Sequence, residues 1–275
     1  MQKLSSRFHC NDGRVKQMQI TALVENSSLD KNLGTEHGLS LYIETGSRKI
    51  LFDMGQTELF ADNARVLGID LAGVDIAVLS HGHYDHGGGL KKFLDINRKA
   101  PVYLSRYAFE GHYHGREKYI GLDTELTGNE RLVSTGDETV IEEGLTLYSC
   151  NDCQKTFPSG SQGLHMIKDG AFLPEDFRHE QYLLIKEKGK RVVFSGCSHK
   201  GILNIVEWFR PDVLVGGFHF SKLPLDETLA GYAEYLNRFS TVFYTCHCTG
   251  TEQFAFMKTR MDRLFYLAAG QRMIL

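Results

Sequence analysis

The sequence predicts an α/β fold in which two β-sheets face each other and helices cover the outer side of both. Three observations along the 275-residue chain support this architecture. Short β-rich runs alternate with helix-like segments, and each half of the chain repeats the order hairpin, helix, strand, helix. One strand is a continuous apolar run, as expected for a strand buried on both faces. That strand ends directly at a cluster of histidines and glycines.

In the first half, the continuous apolar run lies at residues 74–79. Residues 57–67 are predicted to be helical, because their apolar side chains fall on one face of a helix. The other predicted elements of this half are strands at residues 19–24, 39–44, 49–53 and 102–104 and a helix at residues 88–96.

Residues 107–139 differ from the rest of the chain, since they are polar, aromatic and interrupted by glycines. Such a stretch is either a lid or insertion over a site or a long surface loop. In the second half, residues 187–190 give a hairpin signal. The predicted elements there are strands at residues 145–149, 181–186, 191–195, 213–217 and 241–245 and helices at residues 201–209, 226–237 and 252–260. No linker divides the chain, so we expect a single domain over residues 1–275.

The composition is that of an ordinary globular protein, with 42% hydrophobic and 24% charged residues. The formal net charge of −3 argues against a general nucleic-acid binder, which usually carries a basic excess. No apolar run approaches the roughly 20 residues that a membrane helix needs, and residues 1–19 contain no apolar targeting core. We therefore expect a cytoplasmic protein that acts on a small molecule and binds neither nucleic acid nor membrane.

The six cysteines are expected to be reduced thiols, because nothing in the sequence points to secretion. Two pairs lie close in sequence, as Cys-x-x-Cys at residues 150–153 and as Cys-x-Cys at residues 246–248. These four thiols could form a zinc knuckle, but the second spacing is poor for one. We therefore prefer the interpretation that these four thiols do not form a zinc knuckle.

The stretch Ser-His-Gly-His-Tyr-Asp-His-Gly-Gly-Gly at residues 80–89 carries the chemistry. Imidazole nitrogens and carboxylate oxygens are suitable ligands for zinc and similar divalent ions. His81 and His83 lie two residues apart in an extended segment, so both point the same way and can share a first ion. Asp85 and His86, beyond the bend that the glycines permit, can reach a second ion beside it. Two metals about 3.5–4 Å apart suit hydrolytic and phosphoryl-transfer chemistry.

These residues match the H-x-H-x-D-H signature of the metallo-β-lactamase superfamily. The order of elements over the whole chain resembles the αββα sandwich of that superfamily, two mixed sheets flanked by helices. The Phe-Asp-Met-Gly stretch at residues 52–55 resembles its first motif. The resemblance implies that Asp53 orients a metal-bound histidine, the alternative being an aspartate that caps a turn.

The resemblance also implies further ligands in the second half of the chain. His199 is the preferred third ligand of the first ion, and His179 is the alternative for the same role. Cys197 occupies the position where many members carry a bridging aspartate, and it is either a thiolate ligand or a small buried residue. His247, after the last long strand, is expected to complete the site of the second ion.

Several further stretches resemble one branch of the superfamily. They are Val-Glu-Asn at residues 24–26, Glu-His-Gly-Leu-Ser at 36–40, Gly-Cys-Ser-His-Lys-Gly-Ile at 196–202, Gly-Gly-Phe-His at 216–219 and Cys-His-Cys-Thr-Gly at 246–250. This branch includes the archaeal 7,8-dihydropterin-6-methyl-4-(β-D-ribofuranosyl)aminobenzene 5′-phosphate synthase, which joins a pterin diphosphate to an aminobenzene ribotide and releases diphosphate. Many members are known only as metal-dependent hydrolases. Resemblance to this branch therefore indicates the fold and the metal site more firmly than it indicates the substrate.

The resemblance therefore implies a metal-dependent hydrolase or transferase with two divalent ions, zinc by default and manganese or iron as alternatives. Its substrate would be a small phosphorylated molecule with a phosphate or ester-type bond. A di-iron oxidoreductase and a non-enzymatic metal or ligand sensor are the alternative functions. Asp85 and His219 are the candidate catalytic residues. Other residues considered for substrate contact are His37, His112, His114 and Arg116.

Overall fold

The computed structural model describes residues 17–161 and 163–275, so Cys10 lies outside the described residues. Two seven-stranded mixed sheets and one four-stranded sheet make up this part of the chain. The helices are α1 (Leu59–Val66), α2 (Tyr84–Gly87), α3 (Leu90–Ile96), α4 (Ile202–Phe209), α5 (Glu227–Asn237) and α6 (Thr251–Lys258). The α/β fold with two mixed sheets flanked by helices is confirmed.

The strands are short, as is usual for globular proteins. In chain order they are β1 (Gln19–Val24), β2 (Ser40–Glu44), β3 (Lys49–Phe52), β4 (Ile76–Val78), β5 (Val102–Ser105), β6 (Gly111–His114), β7 (Lys118–Tyr119), β8 (Leu132–Thr135), β9 (Glu138–Glu142), β10 (Leu145–Tyr148), β11 (Leu164–Lys168), β12 (Ala171–Pro174), β13 (Tyr182–Glu187), β14 (Lys190–Phe194), β15 (Val213–Gly216), β16 (Val242–Thr245), β17 (Leu264–Tyr266) and β18 (Arg272–Ile274).

The two large sheets have the same pattern of strand directions. The first has the order β18-β1-β2-β3-β4-β5-β8, antiparallel from β18 to β3 and parallel from β3 to β8. The second has the order β17-β16-β15-β14-β13-β10-β9, parallel from β17 to β14 and antiparallel from β14 to β9. Apart from β18, which comes from the C-terminal end of the chain and joins the first sheet, each half of the chain builds one sheet with a parallel and an antiparallel part.

The polar segment at residues 107–139 divides among all three sheets. Its strands β6 and β7 join β11 and β12 in the four-stranded sheet, with order β12-β11-β6-β7 and antiparallel pairing throughout. The same segment contributes β8 to the first sheet and the start of β9 to the second. The sequence did not predict these strands, because glycine, histidine and charged residues interrupt their apolar alternation.

The main core lies between the two large sheets. Phe52 of the first sheet packs against Phe194 of the second, with ring centroids 5.8 Å apart. Alternate residues of the same strands face outward, and Leu51 packs with helices α1 and α3 while Val193 packs with α4 and α5. Burial on both faces explains why the parallel strands read as continuous apolar runs.

The site is built where parallel strands of both sheets end. Within a parallel sheet the carboxyl ends of the strands lie along one edge, and loops from that edge carry functional groups. Side chains of chemical interest follow directly on such ends: Asp53 after β3, residues 80–86 after β4, Cys197 and His199 after β14, His219 after β15 and His247 after β16. No helix among residues 17–161 and 163–275 combines the length and apolarity needed to cross a membrane.

Candidate metal centre

The H-x-H-x-D-H stretch forms a tight loop between β4 and α2, and its four ligand-type side chains are buried. Glycines allow the close approaches that this burial requires. A Cβ atom at Gly82 would lie 2.2 Å from the carbonyl oxygen of Ala108. A Cβ atom at Gly196, in the facing loop, would lie 2.1 Å from Ser80 Oγ. A side chain at Gly82 would therefore push the metal loop away from Ala108, and a side chain at Gly196 would push the two loops apart.

Asp53 holds the metal loop in place through hydrogen bonds. Its backbone is in the left-handed region, with φ of 58°, and its side chain is fully buried. Its carboxylate accepts hydrogen bonds from the Ser80 backbone N–H and the Ser80 hydroxyl, each at 2.7 Å. It also accepts from His86 Nδ1 at 2.7 Å. Asp53 thereby fixes a proton of His86 on Nδ1 and turns Nε2 toward Cys197 Sγ and His247 Nε2, each 3.2 Å away.

Two more rings are held in the same tautomer. The Ser80 hydroxyl donates to Asp53, so its oxygen accepts from His81 Nδ1 at 2.8 Å. His247 Nδ1 donates to Asn26 Oδ1, also at 2.8 Å. Both rings therefore carry their proton on Nδ1 and present the lone pair of Nε2. A neutral imidazole with a free nitrogen lone pair is the form that binds a divalent ion.

His81, His83 and His199 form a first ligand group. Each offers one nitrogen, and these atoms lie within 4.8 Å of one another. Nε2 of each ring is buried and has no hydrogen-bond partner. Burial, together with the neighbouring imidazoles, holds the pKa of all three rings well below the ordinary value of histidine. Unpartnered lone pairs on neutral, converging rings are the donor set that a cation would satisfy, so these residues fit the first ion.

Asp85, His86, Cys197 and His247 form a second ligand group. His86 Nε2 lies 3.2 Å from His247 Nε2, and Asp85 Oδ2 lies 3.4 Å from His247 Nε2. Burial by itself raises the pKa of Asp85, but the facing rings of His86, His247 and His37 hold it well below the ordinary value. The carboxylate is therefore ionised, and the site carries the negative charge that favours a cation.

A third group, formed by His83, His112, Glu175 and His179, has a different character. The rings of His112 and His179 are stacked, with centroids 3.9 Å apart and an interplanar angle of 28°. The two rings lie face to face, and one nitrogen of each is engaged in a hydrogen bond. His112 Nδ1 donates to Glu175 Oε2 at 2.7 Å, and the Gly82 N–H donates to His179 Nδ1 at 2.8 Å. We interpret this group as a support for the loop.

The structure distinguishes the two candidates for third ligand of the first ion. His179 Nδ1 accepts a backbone N–H, so its neutral ring carries the proton on Nε2, which then cannot ligate. His199 lies with His81 and His83 and stacks on Phe177 with centroids 4.4 Å apart. The backbone N–H of His199 donates to Glu180 Oε1 at 2.7 Å, which fixes the loop after β14. The structure thus places His199, and not His179, in the first ligand group.

The sequence analysis did not identify two buried carboxylates, Glu25 and Glu180, that hydrogen-bond to the backbone of candidate ligands. Glu25 accepts from the His247 N–H at 2.6 Å and from the Tyr266 hydroxyl at 2.7 Å. Glu180 accepts from the N–H groups of His199 and Lys200. Glu25 belongs to the motif at residues 24–26, which was a signal for it. No sequence signal pointed to Glu180, because acidic residues are common before a strand.

A cavity of about 250 Å³ opens above both ligand groups. His219 lies on the wall of this cavity, and its backbone φ is 58°. Its pKa is lowered to about 4, mainly by burial and to a lesser extent by the nearby His247. His37 lies at the rim, with Nε2 3.4 Å from Asp85 Oδ2. The residues that line the cavity are His37, His83, Tyr84, Asp85, His114, Lys118, Ile120, Leu164, Cys197, His199, His219, Ser221, Lys222, His247 and Cys248. Asp85 and His219, the candidate catalytic residues, therefore face one space.

The residues from 107–139 that were considered for substrate contact have different positions. His114 lines the cavity. His112 is fully buried behind the metal loop, where it contacts Glu175. The guanidinium of Arg116 lies 5.5 Å from the ring centroid of Phe172, on the four-stranded sheet. Only His114 among these three is placed to meet a substrate in the cavity.

The two cysteine pairs lie in different parts of the fold. Cys150 packs in the outer cluster with α4, whereas Cys246 lies in the core between the sheets. Cys153 is exposed. None of the ligand groups found among the described residues contains Cys150, Cys153, Cys246 or Cys248. The four thiols do not assemble into a zinc knuckle.

Lys200, next to His199, gives a testable pH dependence. It is 1% exposed, and its ammonium donates to the carbonyl oxygens of Ser149 and Glu180 at 2.6 and 2.9 Å. Burial lowers the pKa of Lys200 to about 8, whereas a lysine in an unfolded chain has a pKa near ~10.4. Above pH 8 the unfolded state therefore binds more protons than the folded state. The contribution of Lys200 to the free energy of unfolding should therefore rise with pH in this range, by up to about 1.4 kcal/mol per pH unit. Buried thiols such as Cys150 and Cys246, whose pKa burial raises, contribute with the opposite sign, so the test compares parent and variant.

The measurement is urea unfolding at pH 8 and pH 10 for the parent protein and for Lys200→Met. The variant has no titrating group at this position, so its free energy of unfolding should change less favourably between the two pH values than that of the parent. Lys190→Met, at an exposed lysine, is the matched control and should keep the parental pH dependence. An equal change in parent and Lys200→Met would show that Lys200 titrates normally in the folded state.

Comparison with known proteins agrees with the geometry. A model of the metallo-beta-lactamase superfamily matches residues 33–230. The uncharacterized protein MJ0448 of Methanocaldococcus jannaschii is 32% identical over 243 residues, which is 84% of this chain and 90% of that protein. A second relative from the same organism, a 7,8-dihydropterin-6-methyl-4-(beta-D-ribofuranosyl)-aminobenzene-5′-phosphate synthase, is 26% identical over 266 residues, 87% of this chain and 90% of that protein.

A solved structure is also similar. The crystal structure of Tm1679, described as a metal-dependent hydrolase of the beta-lactamase superfamily, has a TM-score of 0.80 and 30% sequence identity. The match covers 94% of this chain and 99% of that chain. The similarity therefore extends over nearly the whole length of both chains.

Proposed function

Because the chain belongs to the metallo-β-lactamase superfamily, we propose that it is a dinuclear metal-dependent hydrolase or transferase acting on a phosphate or ester-type bond of a small molecule. The observation that carries this proposal is the pair of buried ligand groups that share one cavity. Imidazole, carboxylate and thiol ligands together suit zinc best, so zinc is the proposed ion in both positions.

When bound, a pair of divalent ions lowers the pKa of coordinated water to about 7 and stabilises negative charge that develops on oxygen. The protein's own groups position the substrate and move protons. Burial and the nearby His247 lower the pKa of His219 to about 4, so its ring is neutral at pH 7 and can exchange hydrogen bonds with a substrate in the cavity. Asp85 stays ionised and serves as a ligand, with His37 beside it at the rim.

The charges at the mouth of the cavity support a proposal for the substrate class. Lys118 comes from the four-stranded sheet and Lys222 from the loop after β15, and both line the cavity. Lys118 Nζ also lies 3.5 Å from the Tyr84 hydroxyl. Two ammonium groups from separate parts of the fold suit an anion with several oxygens. We propose a phosphate or diphosphate group as the part of the substrate that enters here.

Transfer rather than hydrolysis is supported by the pterin-related relative at 26% identity. If the protein is a transferase, the site would hold diphosphate as the leaving group of a pterin-type condensation, and an amine would replace water as the nucleophile. The two versions share the ligand groups and differ in the acceptor.

The test is a substrate screen with zinc-loaded protein. Phosphate monoesters, phosphate diesters and a pterin diphosphate should be offered, each with and without an aromatic amine. Turnover without the amine indicates a hydrolase, and turnover that requires it indicates a transferase. Tight binding of these compounds with no turnover would instead favour a sensor, and an iron-type visible absorption band would favour an oxidoreductase.

The double variant Lys118→Ala and Lys222→Ala tests the proposed anion contact. We expect KM for a phosphorylated substrate to rise by about tenfold while kcat changes less, because the two ammonium groups hold the substrate before and during the reaction alike. Steady-state kinetics is the measurement, and Lys91→Ala, at an exposed lysine of α3, is the control. An unchanged KM would remove the two lysines from the substrate site.

A further inference from the structure

A second cavity, of about 130 Å³, lies beside the cavity above the ligand groups. His199 and His219 line both cavities, so the two spaces meet at this pair of rings, whose centroids are 4.4 Å apart. Apart from His199, none of the ligand-group residues found among the described residues lines the second cavity. This cavity therefore offers space for a part of the substrate that does not react.

The walls of the second cavity are mostly apolar. Helices α4 and α5 and the loop after β15 contribute Ile202, Leu203, Phe218, Phe220, Leu223 and Tyr232. None of the described residues that line it is an aspartate, a glutamate, a lysine or an arginine. A charged group would lose its hydration here without gaining an opposite charge, so the second cavity favours an uncharged group.

Aromatic rings supply much of this apolar wall. Phe220 stacks on Tyr232 with ring centroids 5.5 Å apart, and Phe218 meets Phe220 edge to face at 6.0 Å. Ring faces and edges attract a further aromatic ring in offset-stacked or edge-to-face geometry. An apolar cavity of about 150 Å³ in another protein holds benzene, and the second cavity, at about 130 Å³, accommodates one six-membered ring.

The remaining wall, residues 157–160, is fixed to helix α4. The buried side chain of Asn204 accepts from the Phe157 N–H at 2.9 Å and donates to the Phe157 carbonyl oxygen at 2.8 Å. It also donates to the carbonyl oxygen of Lys200, in the loop that carries His199. The Phe157 ring meets Tyr235 edge to face at 4.8 Å. A wall that is held in place before binding loses less conformational entropy when a ligand enters.

We infer that the second cavity binds an uncharged aromatic ring of the substrate, while the phosphate or diphosphate group lies with Lys118 and Lys222 in the first cavity. This inference rests on the proposed function and adds the site that selects the organic part of the substrate. Because the two cavities meet at His199 and His219, one molecule with a short linker between ring and phosphate reaches both. Leu223 and Tyr232 are then specificity-determining residues.

A neutral aromatic compound tests the second cavity without the metal ions or the anion contact. The compound is 4-fluorobenzyl alcohol, observed by fluorine NMR with metal-free protein, and the parent should broaden its signal. Benzyl alcohol should displace it at roughly fivefold lower concentration than cyclohexylmethanol, because only the former offers a ring face. Leu223→Trp fills the cavity and should weaken binding about tenfold or more. Leu225→Trp, at an exposed leucine of the same loop that does not line the cavity, is the matched control and should bind like the parent.

Two phosphonates then test whether the ring and the anion belong to one substrate. Zinc-loaded parent should bind 2-phenylethylphosphonate about tenfold more tightly than ethylphosphonate in calorimetry, since only the former buries a ring. Leu223→Trp should abolish this difference and keep the parental affinity for ethylphosphonate, whereas Leu225→Trp should keep both values.

The outcomes separate the inference from the proposed function. If the parent does not broaden the fluorine signal, or if Leu223→Trp and Leu225→Trp bind the alcohol equally, the inference is wrong even if the protein turns over phosphate esters. An equal affinity for both phosphonates would also overturn it. Binding of the alcohol in the second cavity without binding of either phosphonate would support the ring site and count against the proposed function. Should Leu223→Trp not fold, Tyr232→Leu decides: loss of one ring should weaken binding of the alcohol about threefold, and unchanged binding would contradict the inference.

Discussion

Replacing His81 and His83 together by alanine should remove the first ion and lower turnover by about 1000-fold or more. The two rings supply two of the three nitrogens of the first ligand group, so the third alone cannot hold the ion. Loss of the Lewis acid removes several kcal/mol of transition-state stabilisation, and roughly 4 kcal/mol corresponds to about 1000-fold.

Metal content and thermal stability separate this effect from misfolding. Metal content by elemental analysis should fall by one ion per chain. Zinc should raise the thermal midpoint of the parent more than that of the variant, since binding stabilises only the folded state that has the site. The midpoint of the metal-free variant should also fall, because two buried rings are removed and His81 Nδ1 no longer donates to Ser80, so the zinc-induced rise is compared within each protein. His165→Ala, on the four-stranded sheet, is the control. Unchanged activity and metal content would refute the proposed function.

Replacing Asp53 by alanine should destabilise the fold and weaken the second ion at the same time. The substitution leaves three buried donors without an acceptor, namely the N–H and hydroxyl of Ser80 and Nδ1 of His86. Each unsatisfied buried group costs about 1–3 kcal/mol, so we expect a loss of about 3–5 kcal/mol in the free energy of unfolding. The affinity for the second ion should fall 10–100-fold, because the tautomer of His86 is no longer fixed.

Asp53→Asn separates the two effects. Its amide oxygen can still accept from the Ser80 N–H, but its NH₂ group faces the donors of Ser80 and His86. Stability should therefore fall less than in Asp53→Ala, while metal affinity falls about as much. Urea unfolding and zinc titration are the measurements, and Asp62→Ala, at an exposed aspartate of α1, should change neither. Normal zinc affinity in Asp53→Ala would mean that Asp53 only caps a turn.

Inner parallel strands such as β4 and β15 could be predicted from the sequence because they are apolar on both faces, whereas the parallel edge strands β8 and β17 were not predicted. The run at residues 74–79 identified β4, and the ligand-type residues that follow it identified the metal loop. The four-stranded sheet could not be predicted in this way. Its strands β6 and β7 are short and partly exposed, so no hydrophobic alternation marks them.

The contacts that fix the ligand tautomers also lie beyond single-sequence reasoning. Asn26 and His247 are separated by 221 positions, yet their side chains are 2.8 Å apart. Cys197 approaches His86 across 111 positions. Sequence spacing identifies residues that share one loop, but it carries no information on which distant loops meet at a sheet edge. For the same reason the choice between His199 and His179 needed the hydrogen bond of the Gly82 N–H.

The central claim is that one cavity holds two metal ions, and metal content per chain tests it most directly. The protein should be purified without a metal-affinity tag and measured by elemental analysis. The account predicts two ions per chain, with zinc as the main metal. One ion or none per chain, in protein that is folded and has been offered zinc, would contradict it.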